Sequence, residues 1–167
     1  MLKTSNQGDF TVADKEFVKR NDIGIYKANK DMKGSVAQFK LGSKNDCMFL
    51  ELAKQNKPMD SDAPYDWENS KITVKLGFAD ITKFLAYFRS GTEDKPLKLF
   101  HQNDRGSKAI EMVYQEKYNS FYLKVSMKEK DKEGKELLRN VAVPISQDEV
   151  ELLRVGMTRA LELMLNW

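Results

Sequence analysis

Residues 71–89, KITVKLGFADITKFLAYFR, change their hydrophobic period midway. Ile72, Val74 and Leu76 alternate with Lys71, Thr73 and Lys75, which is the period of a half-buried strand. Ile81, Phe84, Leu85 and Phe88 then recur at i, i+3, i+4 and i+7, the period of an amphipathic helix. The stretch predicts a strand running straight into a helix. Near the C-terminus the pattern returns: Val141, Val143 and Ile145 alternate, and Val150, Leu153 and Met157 take the places of Ile81, Phe84 and Phe88.

The likeness extends upstream, as a true internal repeat requires. Cys47-Met48-Phe49-Leu50-Glu51-Leu52 lines up with Ser120-Phe121-Tyr122-Leu123-Lys124-Val125, and Gly34-Ser35 with Gly106-Ser107. Ile23, Ile25, Tyr26 and Asn29 answer to Leu97, Leu99, Phe100 and Asn103. Each half reads as four strands and then a helix. The expected fold class is α+β: two four-stranded antiparallel sheets, each followed by a helix, in a duplicated ββββα unit. An N-terminal tail is expected over residues 1–21, and a single domain over 22–167 built of repeats at about 22–91 and 96–167.

A chain of 167 residues can bury one full core but not two comfortable ones. With 28 basic and 25 acidic residues the formal charge is only +3, so a site for a polyanion must come from uneven placement of charge. Cys47 is the sole cysteine and His101 the sole histidine, which leaves no internal disulfide and little from which to build a zinc site. No metal or cofactor is expected. Apolar runs of membrane-spanning length and a greasy signal segment are both missing, so the expected location is cytoplasmic, with no membrane partner.

Catalytic constellations are thin. His101 and Cys47 each stand alone, and neither sits in a nucleophile elbow. Gly42-Ser43-Lys44 and Gly106-Ser107-Lys108 lack the glycine spacing and following helix of a phosphate loop, and read as ordinary turns. Asp80 and Asp148 suit helix starts, where a carboxylate complements the dipole. A non-enzyme is expected.

The irregular connection from Gln55 to Ser70 is the longest in the chain and carries Pro58, Pro64 and the cluster Tyr65-Asp66-Trp67. Loops of this length are often functional, but Tyr65 and Trp67 are better placed to cover an edge of the core. Ser146-Gln147-Asp148-Glu149 reads as a capping box opening the last helix. Besides its core stripe that helix shows Leu152, Val155, Leu163, Leu165 and Trp167, a second apolar face that predicts self-association.

Alternation assigns Ile25, Ala37, Phe39, Leu50, Leu52, Ile72, Val74 and Leu76 to the side that meets the helix. The opposite side then carries Tyr26, Gln38, Lys40, Phe49, Thr73 and Lys75 in the first copy, and Lys98, Phe100, Tyr122 and Lys124 in the second. Rings interleaved with ammonium groups suit single-stranded nucleic acid, whose unpaired bases offer π-faces beside a phosphate track. The same mixture also suits a protein interface flanked by solubilising lysines. For a nucleic-acid site the candidate stacking residues are Tyr26, Phe49, Phe100 and Tyr122, with Lys33, Lys40, Lys75, Lys98 and Lys124 for phosphates and Gln38 beside them.

Several segments resemble the Whirly family of single-stranded DNA-binding proteins, whose relatives include kinetoplastid mitochondrial RNA-binding proteins. Lys33-Gly34-Ser35-Val36-Ala37 is similar to a Lys-Gly-Lys-Ala-Ala-Leu strand of that family, Tyr65-Asp66-Trp67 to its Tyr-Asp-Trp, and Leu99-Phe100-His101 to its Phe-Phe-His. Phe121 to Val125 and Val141-Ala142-Val143-Pro144-Ile145 resemble its Phe-x-Leu-x-Val and Val-x-Ile-Pro-Ile segments. The resemblance implies blade-like sheets assembled as a homotetramer through the helices, single-stranded DNA lying across the sheets, and a nucleoid-associated role in replication, recombination or repair. An RNA-binding or annealing module of the same fold, or a protein-docking module, is the alternative. Ser35 stands where the family strand has its second lysine, so clustering of tetramers that depends on that lysine is not implied.

Overall fold

The computed structural model describes residues 21–166. The expected tail lies outside the described residues except for Asn21, as does Trp167.

Within this range the chain runs β1 (Asp22–Lys27), β2 (Ser35–Leu41), β3 (Met48–Lys54), β4 (Ile72–Leu76) and α1 (Phe78–Ser90). It then repeats the order with β5 (Leu97–Asn103), β6 (Gly106–Gln115), β7 (Ser120–Lys130), β8 (Glu136–Ile145) and α2 (Gln147–Leu165). A single 3-10 turn, Glu116–Tyr118, links β6 to β7. The strands form two four-stranded sheets in the orders β1-β2-β3-β4 and β5-β6-β7-β8, every neighbouring pair antiparallel.

The duplication holds at the level of strand register. Ile25, Ala37, Leu52 and Ile72 form one cross-strand row, and Leu99, Ile110, Val125 and Val141 form its counterpart. Phe39, Leu50 and Val74 correspond in the same way to Met112, Leu123 and Val143. This register corrects one equivalence: with Ala37 answering Ile110, Gly34-Ser35 corresponds to Ser107-Lys108, one residue beyond the Gly-Ser pair that the sequence suggested. Two glycines one position apart obscured a single-residue difference in the turn before the second strand.

These rows belong to one continuous core, joined by Ile81, Phe84, Tyr87 and Phe88 of α1 and Val150, Leu153, Met157 and Ala160 of α2. Phe84 is fully buried, and covering a side chain of that size contributes roughly 1.5–3 kcal/mol. Around Phe121 the rings of Tyr114, Phe88 and Tyr87 gather with centroids 5.2, 5.4 and 5.9 Å away. The Tyr87 hydroxyl donates to Thr92 O at 2.9 Å and accepts the Tyr114 N–H at 3.0 Å, which ties α1 to the second sheet.

Helix starts follow local chemistry. The Asp80 carboxylate accepts the Gly77 N–H at 3.0 Å, and at the head of α2 Glu149 accepts the Ser146 N–H at 2.8 Å in the expected capping box. Glu149 also receives Lys27 Nζ of β1 at 2.7 and 2.8 Å, so the cap doubles as a clasp between the halves. Two further clasps join the sheets: Ser35 Oγ donates to Ala142 O at 2.6 Å, and Arg139 Nη1 to Lys71 O at 2.7 Å. Ser35 is therefore buried in a seam between sheets, where a long cationic side chain would not fit without rearrangement.

Gly34 sits where β1, β2 and the end of β3 converge. A Cβ there would lie 2.0 Å from Lys27 O and 2.5 Å from Gln55 Oε1, and backbone cannot retreat as a flexible side chain can. Gly34→Ala is expected to destabilise the protein by about 1–3 kcal/mol, read as a lowered urea midpoint with an unchanged m-value.

Candidate nucleic-acid interface

With inner faces spent on the core, the outer faces follow from alternation. In the first sheet Phe49 lies between Lys40 of β2 and Lys75 of β4, a ring flanked by two ammonium groups along one cross-strand row. The next row holds Gln38, Glu51 and Thr73. Tyr26 stands at the corner, 53% exposed, its hydroxyl accepting from the Gln38 amide at 2.9 Å.

Glu51 alters what this face can do. Its carboxylate takes Lys40 Nζ at 2.6 Å and Lys71 Nζ at 2.8 Å while remaining only 14% exposed, so two of the face's cations are already neutralised by half each. Burial alone would raise its pKa, but the hydrogen bonds and charges of Lys40 and Lys71 outweigh that and hold the carboxyl below its ordinary value. Lys75 is more loosely engaged, 3.6 Å from Asp46 at the β2–β3 turn. Glu51 was legible in principle, since it lies two residues from Phe49 and must share its face.

The second sheet presents a more open surface. Phe100 is 66% exposed and Tyr122 38% exposed, and Phe100 stands against small neighbours: it is registered with Ala109, which pairs in turn with Ser126 and then Asn140. Beside that row run Lys98, Glu111 and Lys124. Lys98 approaches Glu111 only at 3.7 Å, and Lys124 is exposed with no ion-pair partner among the described residues. Ser126, Asn140 and Lys128 share this side and were not singled out from the sequence. Small polar residues carry no signal until register places them beside an exposed ring.

Lys33 lies in the turn before β2, exposed, its N–H donated to Asn29 Oδ1 at 3.0 Å. The ten candidate residues thus fall into two groups. Tyr26, Lys33, Gln38, Lys40, Phe49 and Lys75 belong to the first sheet and its turn, and Lys98, Phe100, Tyr122 and Lys124 to the second.

Tyr65 and Trp67 do more than cover an edge. Gln55 and Tyr65 pair as an isolated bridge, so the β3–β4 connection continues the ladder of β3 for one step and then turns outward. Asn56 and Lys57 both donate to Pro64 O, at 2.9 and 3.2 Å, and Asp66 N–H donates to Lys54 O at 2.8 Å. The arm so formed brings the Tyr65 ring to 6.1 Å from that of Tyr26. Burial pushes the Tyr65 phenol above its ordinary pKa. Between arm and sheet lies an open recess of about 470 Å³.

No group of three or more His, Cys, Asp or Glu side chains placed to hold a metal occurs among the described residues, and no helix there is long and apolar enough to cross a membrane. Among solved structures the fold is similar to the crystal structure of WHY1 from Arabidopsis thaliana, covering 89% of this chain and 88% of that one with a TM-score of 0.61. Sequence identity is 14%, so the likeness is one of fold. No family model and no curated protein matches the chain.

A carboxyl whose pKa is depressed in the folded state contributes stability above the ordinary value, here 4.5, and loses it as pH falls through the lowered one. Urea midpoints measured from about pH 5 down to pH 3 are expected to fall less steeply for Glu51→Gln than for the parent. Parallel curves would remove the Lys40–Glu51–Lys71 cluster from the account of acid stability.

Proposed function

We propose that this protein binds single-stranded DNA with little sequence preference, through the outer faces of its sheets, and that it coats exposed strands during replication, recombination or repair. The observation that carries the reading is the pair of exposed rings, Phe100 and Tyr122, beside Lys124, which has no ion-pair partner among the described residues, on a face the core does not use. Every base has a π-face, so stacking on rings is sequence-tolerant and contributes about 1–3 kcal/mol per base. Lysine ammonium groups supply the phosphate term, which displaces counterions and makes affinity fall with salt. The role is one of binding, without catalysis, and the likeness to the Whirly family in motif and fold supports it.

The two sheets contribute unequally. Glu51 competes with phosphate for Lys40 and Lys71, so the second sheet forms the stronger track and the first contributes chiefly Phe49, Lys75 and Tyr26. Assembly is as a homotetramer through α2, whose Leu152, Val155 and Leu165 remain 53%, 68% and 40% exposed on the side away from the core. Association would lengthen the DNA track by placing sheets of neighbouring protomers side by side.

Titration of labelled single-stranded and duplex oligonucleotides at two salt concentrations tests the reading, with preference for the single strand expected. Phe100→Ala is expected to lower affinity about tenfold without changing the salt slope, and Lys124→Ala to flatten that slope by about 0.7. Glu51→Gln should tighten binding and steepen the slope, because two lysines are released to phosphate. If the folded variants bind as the parent does, the outer faces are not the site. Val155→Glu is expected to reduce the assembly measured by light scattering, and an unchanged mass would exclude this face of α2 as the contact.

A further inference from the structure

The arm between β3 and β4 has no counterpart in the second half, where β7 and β8 are joined by the short turn 131–135. It is held in place rather than draped. Gln55, 5% exposed, accepts the N–H groups of Asn29 and Gly34 on Oε1 at 2.9 and 3.0 Å, and donates from Nε2 to Asn29 O and Lys57 O, both at 2.9 Å. One buried amide therefore locks the β1–β2 turn to the root of the arm with its hydrogen-bonding capacity met on both ends. The recess this creates is lined by Tyr26, Ala28, Met59, Asp62, Tyr65 and Trp67, and it opens onto the outer face of the first sheet at Tyr26.

We propose that this recess holds one unpaired nucleobase and that Asp62 makes it prefer a base with an exocyclic amine, cytosine over thymine. The proposal rests on the single-strand reading above and adds a specificity to it. Three rings and a thioether offer the flat, polarizable contact that a base requires. The volume of about 470 Å³ is ample for one base, within the range of small-ligand sites. Asp62 is exposed, has no ion-pair partner among the described residues, and is an acceptor only. It can take the N4 amine of cytosine, whereas thymine presents a carbonyl oxygen at the corresponding position, and carboxylate and carbonyl repel. The same negative charge disfavours a phosphate in the recess, so the base enters and the backbone stays on the lysine-bearing sheet.

The test compares oligodeoxycytidine and oligothymidine of equal length against the full chain. The parent is expected to favour oligodeoxycytidine, and Asp62→Asn, at an exposed position, to shift the ratio of the two affinities about tenfold toward oligothymidine, because the amide can donate to the thymine carbonyl that the carboxylate repels. Trp67 gives an independent readout. The sequence contains two tryptophans, so in a Trp167→Phe background Trp67 emits alone, and its fluorescence is expected to be quenched on oligodeoxycytidine binding. If oligonucleotides bind and Phe100→Ala weakens them, but Trp67 emission does not change, the recess is empty and this inference falls while the wider reading stands. Quenching with equal affinity for the two homopolymers overturns the role assigned to Asp62. Failure of the parent to bind either strand overturns both.

Discussion

Alternation of side chains along each strand governs this fold. Each strand points successive side chains to opposite faces, and all eight strands commit one of those faces to a single core shared with α1 and α2. A shift of one residue in the pairing of β3 or of β7 with its neighbour would turn Leu50 or Leu123 to water and bring Phe49, Glu51, Tyr122 or Lys124 into the interior. Burial of the apolar rows therefore fixes the outer faces without any contact among the outer residues themselves. Function is free to vary there because strand register is decided on the other side.

Duplication gives two such outer faces, and their divergence is electrostatic as well as steric. In the first sheet one carboxylate, Glu51, draws Lys40 and Lys71 together at the centre. In the second, Lys124 takes the place of Glu51, and the carboxylate of that row, Glu111 in the place of Gln38, meets Lys98 only loosely and leaves Lys124 to solvent. Coulomb attraction at under 3 Å in a half-buried setting is much stronger than at 3.7 Å on an exposed face, so similar compositions yield different affinities for an external anion. The halves are further distinguished by the β3–β4 arm, which closes one corner of the first sheet against Tyr26. Clasps at Ser35, Arg139 and the Lys27–Glu149 pair hold the two copies in one arrangement.

Much of this was legible in the chain, for a physical reason particular to each element. The switch of period between Leu76 and Ile81 marked β4 and α1, and its return at Ile145 and Val150 marked β8 and α2. Gly42 to Asp46 announced the β2–β3 hairpin, where Asn45 adopts a left-handed conformation. The outer residues followed from the inner ones by elimination. Glu51 was equally available by that rule, but a list of rings and lysines passes over the acid that disarms them. The offset of Gly34 against Gly106 was invisible because a turn can absorb one residue without disturbing either flanking strand.

The order of elements, their inward and outward faces and the twofold repeat are written in the chain alone, because they depend on periodicities within a few residues. Folding in three dimensions settles which lysines are spent on carboxylates, that Phe100 stands beside small neighbours, and that the 55–70 connection forms an arm facing Tyr26. Those features arise from pairs such as Lys71 with Glu51, Asn140 with Ser126 and Tyr65 with Tyr26, brought within reach by register and loop closure. Distance in space between residues far apart in the chain leaves no periodic trace along it.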